Sequence, residues 1–141
     1  MEYEFTTNST EETIEVAKEF GKTLLLNEKI LLYGELGSGK TTFIKGVAKG
    51  LNIKDYDEVV SPSFVIIRQY KIDSKSLFHI DLYRIQDDDI FLLREVDELI
   101  RTDELILIEW AEKLKDIKFP HIKVNLEYIN ENSRKIKISY F

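Results

Sequence analysis

Cysteine is missing from the 141-residue sequence. Its absence excludes disulfides, thiol catalysis and zinc sites built on cysteine. Basic residues are the minority, 20 Lys and Arg against 26 Asp and Glu for a net charge of −6. That balance argues against a chain that grips nucleic-acid phosphates on its own. No apolar run approaches the roughly 20 residues that a membrane-spanning helix needs. The N-terminal Met1-Glu2-Tyr3-Glu4-Phe5 is acidic and has no signal-peptide core, so a cytoplasmic location with no membrane association is expected. Glycine occurs six times and never beyond Gly50, and no D-x-x-G switch exists. Asn52-Ile53-Lys54-Asp55 misses the guanine-reading N-K-x-D string by one place. Both features argue against a GTPase. The five arginines, Arg68, Arg84, Arg94, Arg101 and Arg134, are scattered, with no cluster of the kind that forms the lid of a small-molecule kinase and none close in sequence to the phosphate-binding motifs.

What is present is more decisive. Residues 34–41 read Gly34-Glu35-Leu36-Gly37-Ser38-Gly39-Lys40-Thr41, a full G-x-x-x-x-G-K-[ST] phosphate-binding loop. Glycines let consecutive backbone N–H groups turn inward onto phosphate oxygens. The lysine can reach the β- and γ-phosphates, and the threonine hydroxyl can ligate Mg²⁺. The flanks agree with this reading. Ile30-Leu31-Leu32-Tyr33 is a short apolar run that predicts a buried strand, and the residues from Thr41 to Ala48 predict a helix whose N-terminus faces the phosphates. A nucleotide-binding chain is expected.

The length and the ordinary composition, 43% hydrophobic and 33% charged, fit one domain over residues 1–141. Residues 2–6 alternate weakly, as an edge strand does. Ser9-Thr10-Glu11-Glu12 has a capping-box pattern, with a helix expected from Thr10 whose apolar face is Ile14, Ala17, Phe20 or Gly21, and Leu24. Val65 to Tyr70 reads as a strand, Asp73 to Ser76 as a hairpin turn, and Leu77 to Asp81 as the returning strand. The acidic Asp87-Asp88-Asp89 favours a short helix start. Leu105 to Glu109 predicts a second buried strand and residues 111–116 a short helix. Residues 121–129 and 135–140 predict a C-terminal hairpin around Asn130-Glu131-Asn132. Strands and helices alternating around such a loop imply a three-layer α/β domain with a mixed, largely parallel central sheet.

A nucleoside triphosphatase of this type needs a carboxylate at the end of a neighbouring strand for Mg²⁺ or its water. Asp81 and Glu109 each end an apolar run, at the strand terminus where ligands sit in open α/β sheets. The uninterrupted run before Glu109 favours it slightly; Asp81 could instead cap the next helix or pair with Arg84. In Ser61-Pro62-Ser63-Phe64, the proline fixes its own φ and pushes Ser61 toward extended backbone. The result is a semi-rigid segment with two hydroxyls, readable as a phosphate-sensing switch or as a simple lead-in to a strand. His79 reads as structural, and Trp110 as core or as a shield over the phosphates.

Four strings in order, Gly34 to Thr42, Ser61 to Phe64, His79-Ile80-Asp81-Leu82-Tyr83-Arg84 and Glu109-Trp110-Ala111-Glu112, closely resemble the TsaE family of P-loop ATPases over nearly the whole chain. This chain departs from the family pattern at Ser63, where threonine is common. The resemblance implies an Mg²⁺-dependent ATPase, binding ATP/ADP, that supports threonylcarbamoyladenosine modification of tRNAs reading codons that begin with A. Its implied partners are the TsaD and TsaB proteins, whose complex it would reset between turnovers, with tRNA met only indirectly through them. By position, Gly37, Ser38, Gly39, Lys40, Thr41 and Thr42 would cradle the phosphates, with Thr41 and Glu109 on Mg²⁺. Asp81 would act near the γ-phosphate. Ser61, Pro62, Ser63 and Phe64 would form the switch, Trp110 would lie against the nucleotide, Ser9 and Thr10 would contact adenine, and Arg134 is a further contact. Hydrolysis would be weak alone and completed by the partners. Two other classes remain open, a small-molecule or nucleoside kinase and a nucleotide-gated binding module without essential hydrolysis.

Overall fold

The computed structural model describes residues 1–54, 67–86 and 89–141. Its centre is a seven-stranded sheet made of β1 (Glu2–Thr7), β2 (Lys29–Tyr33), β3 (Ile67–Ile72), β4 (Lys75–Asp81), β5 (Leu105–Glu109), β6 (Ile122–Tyr128) and β7 (Arg134–Tyr140). The spatial order is β1-β7-β6-β2-β5-β4-β3. The three central pairings, β6–β2, β2–β5 and β5–β4, are parallel. The outer pairings, β1–β7, β7–β6 and β4–β3, are antiparallel. The sheet is therefore mixed, with a parallel heart and a terminal hairpin, as the strand pattern implies.

Alternation of side chains sorts the core into two layers. Ile30, Leu32, Leu77, Leu105 and Leu107 face α1 (Thr10–Thr23) and α2 (Lys40–Gly50). Leu31, Ile80, Ile106 and Ile108 face the other way, onto Val96 and Ile100 of α3 (Ile90–Ile100). Both faces of β2 and β5 are buried, which is why these strands read as continuous apolar runs rather than alternating ones.

α1 starts where the sequence indicates. The Ser9 hydroxyl accepts the Glu12 N–H at 3.1 Å, and the Glu12 carboxylate in turn accepts the Asn8 N–H at 3.1 Å. These bonds satisfy N–H groups that the helix itself cannot. The buried stripe is Thr13, Ala17, Phe20 and Gly21, with Leu24 just beyond, and Ile14 sits half-buried at its edge. The stripe lies directly on α2. A Cβ placed on Gly46 would stand 2.5 Å from Ala17 Cβ and 2.7 Å from the Ile14 carbonyl oxygen, so the two helices meet at a distance that only glycine permits.

Three elements differ from the sequence expectation. The hairpin turns at Asp73-Ser74, with Asp73 at φ +51°, so β4 begins at Lys75 rather than Leu77. The helix after Glu109 is a single 3-10 turn, Ala111–Lys113, because Leu114 returns to extended backbone. The helix after the aspartate run is not short: α3 has 11 residues, sustained by an apolar face in which Leu92, Leu93 and Leu99 pack beside Val96 and Ile100. Asp89 is its N-cap, without a side-chain capping bond. Asp87, Asp88 and the first residues of the strand expected from Val65 lie outside the described residues.

The Gly46 contact makes a direct prediction. Gly46→Ala gains about 1 kcal/mol of helix propensity yet is expected to be net destabilising, by about 1–2 kcal/mol, because backbone on α1 must move to admit the methyl group. Urea unfolding of the two proteins measures the difference.

Candidate functional site

β2 ends at Tyr33, and residues 34–39 form the glycine-rich turn into α2. Gly39 is the N-cap at φ +97°, ψ +18°, a left-handed conformation that glycine adopts without steric cost. Its carbonyl already accepts the Phe43 N–H at 2.9 Å. No side chain caps α2 and no acid occupies its first turn. Its leading N–H groups are therefore available to an anion, in the field of the helix dipole. Thr41 and Thr42 lie in that first turn, Thr41 exposed and Thr42 half-buried.

Lys40 is the centre of the arrangement. It is only 7% exposed. Its ammonium donates to the Gly34 carbonyl and sits 3.7 Å from the centroid of the Trp110 ring, a cation–π contact. Burial pushes its pKa below the usual lysine value, and the carboxylates of Glu109, Glu112 and Asp81 oppose that shift. Three acids on three different elements thus share one lysine.

Parallel registration gathers them. Leu32 pairs with Glu109 across β2 and β5, and Glu109 pairs with Asp81 across β5 and β4. The two carboxylates that the sequence leaves as alternatives stand side by side at the same level of the sheet. Asp81 is 6% exposed and Glu109 is 2%. Asp81 Oδ1 accepts the Tyr83 N–H at 2.9 Å and so also shapes the turn after β4. Glu109 Oε2 lies 2.6 Å from His79 Nε2. His79, which reads as structural in the sequence, is fully buried and touches a candidate catalytic acid. Strand alternation puts His79 on the face of Asp81, but its contact with Glu109 needs the β4–β5 register, which no local pattern supplies.

Trp110 follows Glu109 with φ +57° and ψ +44°. A bulky side chain in this region costs about 1–3 kcal/mol and persists only where the surroundings enforce it. Tyr83 packs against the indole with centroids 4.8 Å apart. Lys113 donates to the carbonyls of Tyr83 and Ile85 at 2.8 and 3.1 Å, tying the turns after β4 and β5 together. Tyr83 and Lys113 are supports that sequence reasoning did not single out.

The remaining candidates come from the antiparallel flank. Thr7 pairs with Arg134, and Ser133 Oγ donates to Asn8 Oδ1 at 3.0 Å, so the start of α1, with Ser9 and Thr10, adjoins the terminal hairpin. The Ser9 hydroxyl serves as the helix cap. Arg134 packs on the glycine loop, its Nε 3.5 Å from where a Gly39 Cβ would stand. Arg134 is distant from the loop in sequence, and strand pairing closes that gap. Arg134 Nε and Ser38 Oγ are both buried without a hydrogen-bond partner, which is what a cradle shaped for an anion's oxygens provides. Ser61, Pro62, Ser63 and Phe64 lie outside the described residues. Among the described residues, no three His, Asp or Glu side chains form a metal-holding group by themselves. Mg²⁺ ordinarily binds through one or two protein oxygens with phosphates and water completing the shell, and the Thr41 hydroxyl and Glu109 carboxylate are oxygen donors of the kind it takes.

The family model described as "Threonylcarbamoyl adenosine biosynthesis protein TsaE" matches residues 7–136. The chain belongs to the TsaE family. It is 38% identical to the tRNA threonylcarbamoyladenosine biosynthesis protein TsaE of Aquifex aeolicus over 130 residues, 92% of this chain and 90% of the relative. Its identity to the Nostoc TsaE is 36% over 136 residues, covering 93% and 82% of the two chains. Among solved structures, Bacillus subtilis YdiB superposes with a TM-score of 0.76 at 28% identity, over 99% of this chain and 86% of that one. The α/β fold is thus shared with a solved structure, and the TsaE match encloses all the candidate residues from Ser9 to Arg134. No helix among the described residues is long and apolar enough to cross a membrane.

Trp110 is the sole tryptophan and lies on Lys40, so its emission should report the lysine directly. Titration with ADP is expected to change the fluorescence of the wild-type protein. Lys40→Ala should shift the unliganded spectrum and weaken the apparent affinity at least about tenfold, the loss of one charge-assisted phosphate contact.

Proposed function

We propose that this TsaE-family protein is an Mg²⁺-dependent ATPase that supports threonylcarbamoyladenosine modification of tRNAs, acting on a complex of TsaD and TsaB between that complex's turnovers. The observation that carries the reading is a buried lysine in a phosphate-binding loop facing two carboxylates at adjacent strand ends. Family membership supplies the pathway. The net charge of −6 favours a protein that meets tRNA through its partners rather than by its own surface.

In this reading Lys40 exchanges the Gly34 carbonyl and the Trp110 ring for phosphate oxygens. The N–H groups at the start of α2 hold the same anion in a fixed orientation, so little reorganisation is needed as charge shifts during phosphoryl transfer. Thr41 and Glu109 would hold Mg²⁺, which supplies charge neutralisation across the phosphates. Asp81 orients the attacking water. Arg134 adds a second cation on the far side of Gly39, Ser9 and Thr10 border the base, and Trp110 with Tyr83 excludes bulk water from Lys40. Ser61 to Phe64 would sense the terminal phosphate. ADP remains after hydrolysis, and the partner complex speeds the cycle.

The test is Mg²⁺-ATP hydrolysis by the purified protein, alone and with TsaD and TsaB from the same organism. A slow basal rate, raised severalfold by the pair and abolished by Lys40→Ala, is expected. A protein whose rate ignores both the partners and Lys40 would sink the proposal and direct attention to phosphate acceptors, as for a kinase. A Glu109→Ala protein that binds ATP, cannot cleave it and still restores tRNA modification in cells would favour nucleotide-gated binding instead.

The lowered pKa of Lys40 gives a pH dependence. Phosphates favour the ammonium form, so Lys40 has a higher pKa in the complex than in the free protein. The associated stabilisation is present in full below the free protein's lowered value. It is lost as pH rises through the window up to the complex's pKa. ADP affinity is therefore expected to fall as pH rises above the free protein's lowered value, by up to about tenfold per pH unit inside that window. Calorimetry in buffers of different ionisation enthalpy should register proton uptake there, and Lys40→Ala should abolish it.

A further inference from the structure

Among the described residues, His79 is the only His, Lys, Arg, Asp or Glu side chain with no solvent exposure at all. It lies on β4, opposite Leu107 and diagonal to Glu109 on β5, with the Tyr70 ring 6.5 Å away. Its Nε2 is 2.6 Å from Glu109 Oε2, and its Nδ1 is buried without any partner. An ionised carboxylate can only accept, so the imidazole donates through Nε2–H, and Nδ1 is left with no partner. An apolar side chain between Leu107 and Tyr70 would avoid that unsatisfied nitrogen. The one interaction that offsets it is the bond to Glu109, a side chain with three rotatable bonds that would otherwise be free to turn away.

We propose that His79 is a positioning residue for Glu109: by holding Oε2 on the β4 side, it leaves the carboxylate's other oxygen for the cation beside the glycine loop. The proposal rests on the ATPase reading for its kinetic consequence, but the geometry it asserts is testable without turnover. Metal-binding carboxylates are commonly oriented by such outer hydrogen bonds, and losing one typically costs 10- to 100-fold in activity or metal affinity.

The chain has two histidines, so ¹⁵N-imidazole NMR can resolve both. The Nε2–H tautomer is expected at His79, with its Nε2 signal displaced in Glu109→Gln. His79→Leu keeps the volume and removes the donor; His79→Gln keeps an N–H near the Nε2 position. Relative to wild type, His79→Leu should lower kcat about 10- to 100-fold with little change in KM for ATP. It should also weaken the Mg²⁺ enhancement of ADP binding, and His79→Gln should recover most of both. Melting temperatures identify folded variants, and if His79→Leu does not fold, His79→Asn, whose shorter amide falls short of Glu109, replaces it with the same expectation. An Nδ1–H tautomer, a donor-less variant with wild-type kcat and Mg²⁺ dependence, or folded Gln and Leu variants equally impaired would each overturn the proposal. A wild-type protein that hydrolyses no ATP even with its partners would instead refute the ATPase reading, leaving the tautomer and Mg²⁺-dependent binding to decide the role of His79.

Discussion

Covering an ammonium group with protein demands negative charge around it, and Lys40 imposes that demand on three separate elements. Asp81 comes from β4, Glu109 from β5 and Glu112 from the 3-10 turn, and all three act on the lysine. They converge because β2, β5 and β4 run parallel and in register, so their C-terminal ends open at one level. That register is enforced elsewhere. Leu105 and Leu107 belong under α1 and α2, while Ile106 and Ile108 belong under the α3 side. A slip of one residue would invert both sets and carry Glu109 to the wrong face. Core packing and site electrostatics are therefore one constraint.

The same economy explains the strain at Trp110. A left-handed tryptophan is costly, and it is held by Tyr83 and by the bonds of Lys113 to the turn after β4. The indole stacks on Lys40 and limits its contact with water. The lysine's direct contacts are a carbonyl dipole and a ring quadrupole. Both are weaker than the full charge of a phosphate, so the lysine is kept in place by contacts that a phosphate can displace.

Much of this was legible in the sequence because it is local. The loop of residues 34–41, the Ser9 cap and the apolar strands are each written within a dozen or so consecutive residues, and the terminal hairpin within the single stretch Ile122–Tyr140. So were the two acids, since each ends an apolar run. What escaped depends on pairing across the sheet. His79 meets Glu109 from 30 residues away, and Arg134 meets Gly39 from farther still. Neither contact leaves a periodic trace. Element lengths failed for a related reason: α3 extends because tertiary packing rewards its apolar face, whereas the turn at residues 111–113 stops short because Leu114 is needed under the sheet with Ile117 and Phe119.

The mixed sheet divides the work between its halves. The parallel centre delivers the loop and the carboxylates; adjacent parallel strands need a crossover, and α3, which buries one face of the sheet, supplies the one from β4 to β5. The antiparallel flank, free of that requirement, folds the last strands back so that Arg134 returns to the loop and Ser133 bonds to the residue before the Ser9 cap. The family match runs from Thr7 to Ile136, beginning where β1 hands over to the Ser9 cap and ending two residues past Arg134. Most of β1 and the end of β7 fall outside it. β1 is an edge strand of the sheet, and its outer charges pair with those of β7, Glu4 with Lys135 and Glu2 with Lys137 at 3.2 and 3.3 Å. A half-exposed edge of this kind needs charge to discourage further strand pairing, and any alternation of acid and base would serve. The described part of the span from Ser9 to Arg134 is bound more tightly: Ser9 is fixed by its cap, Asp81 and Glu109 by the β4–β5 register and Trp110 by its packing on Tyr83, and these contacts also hold the fold.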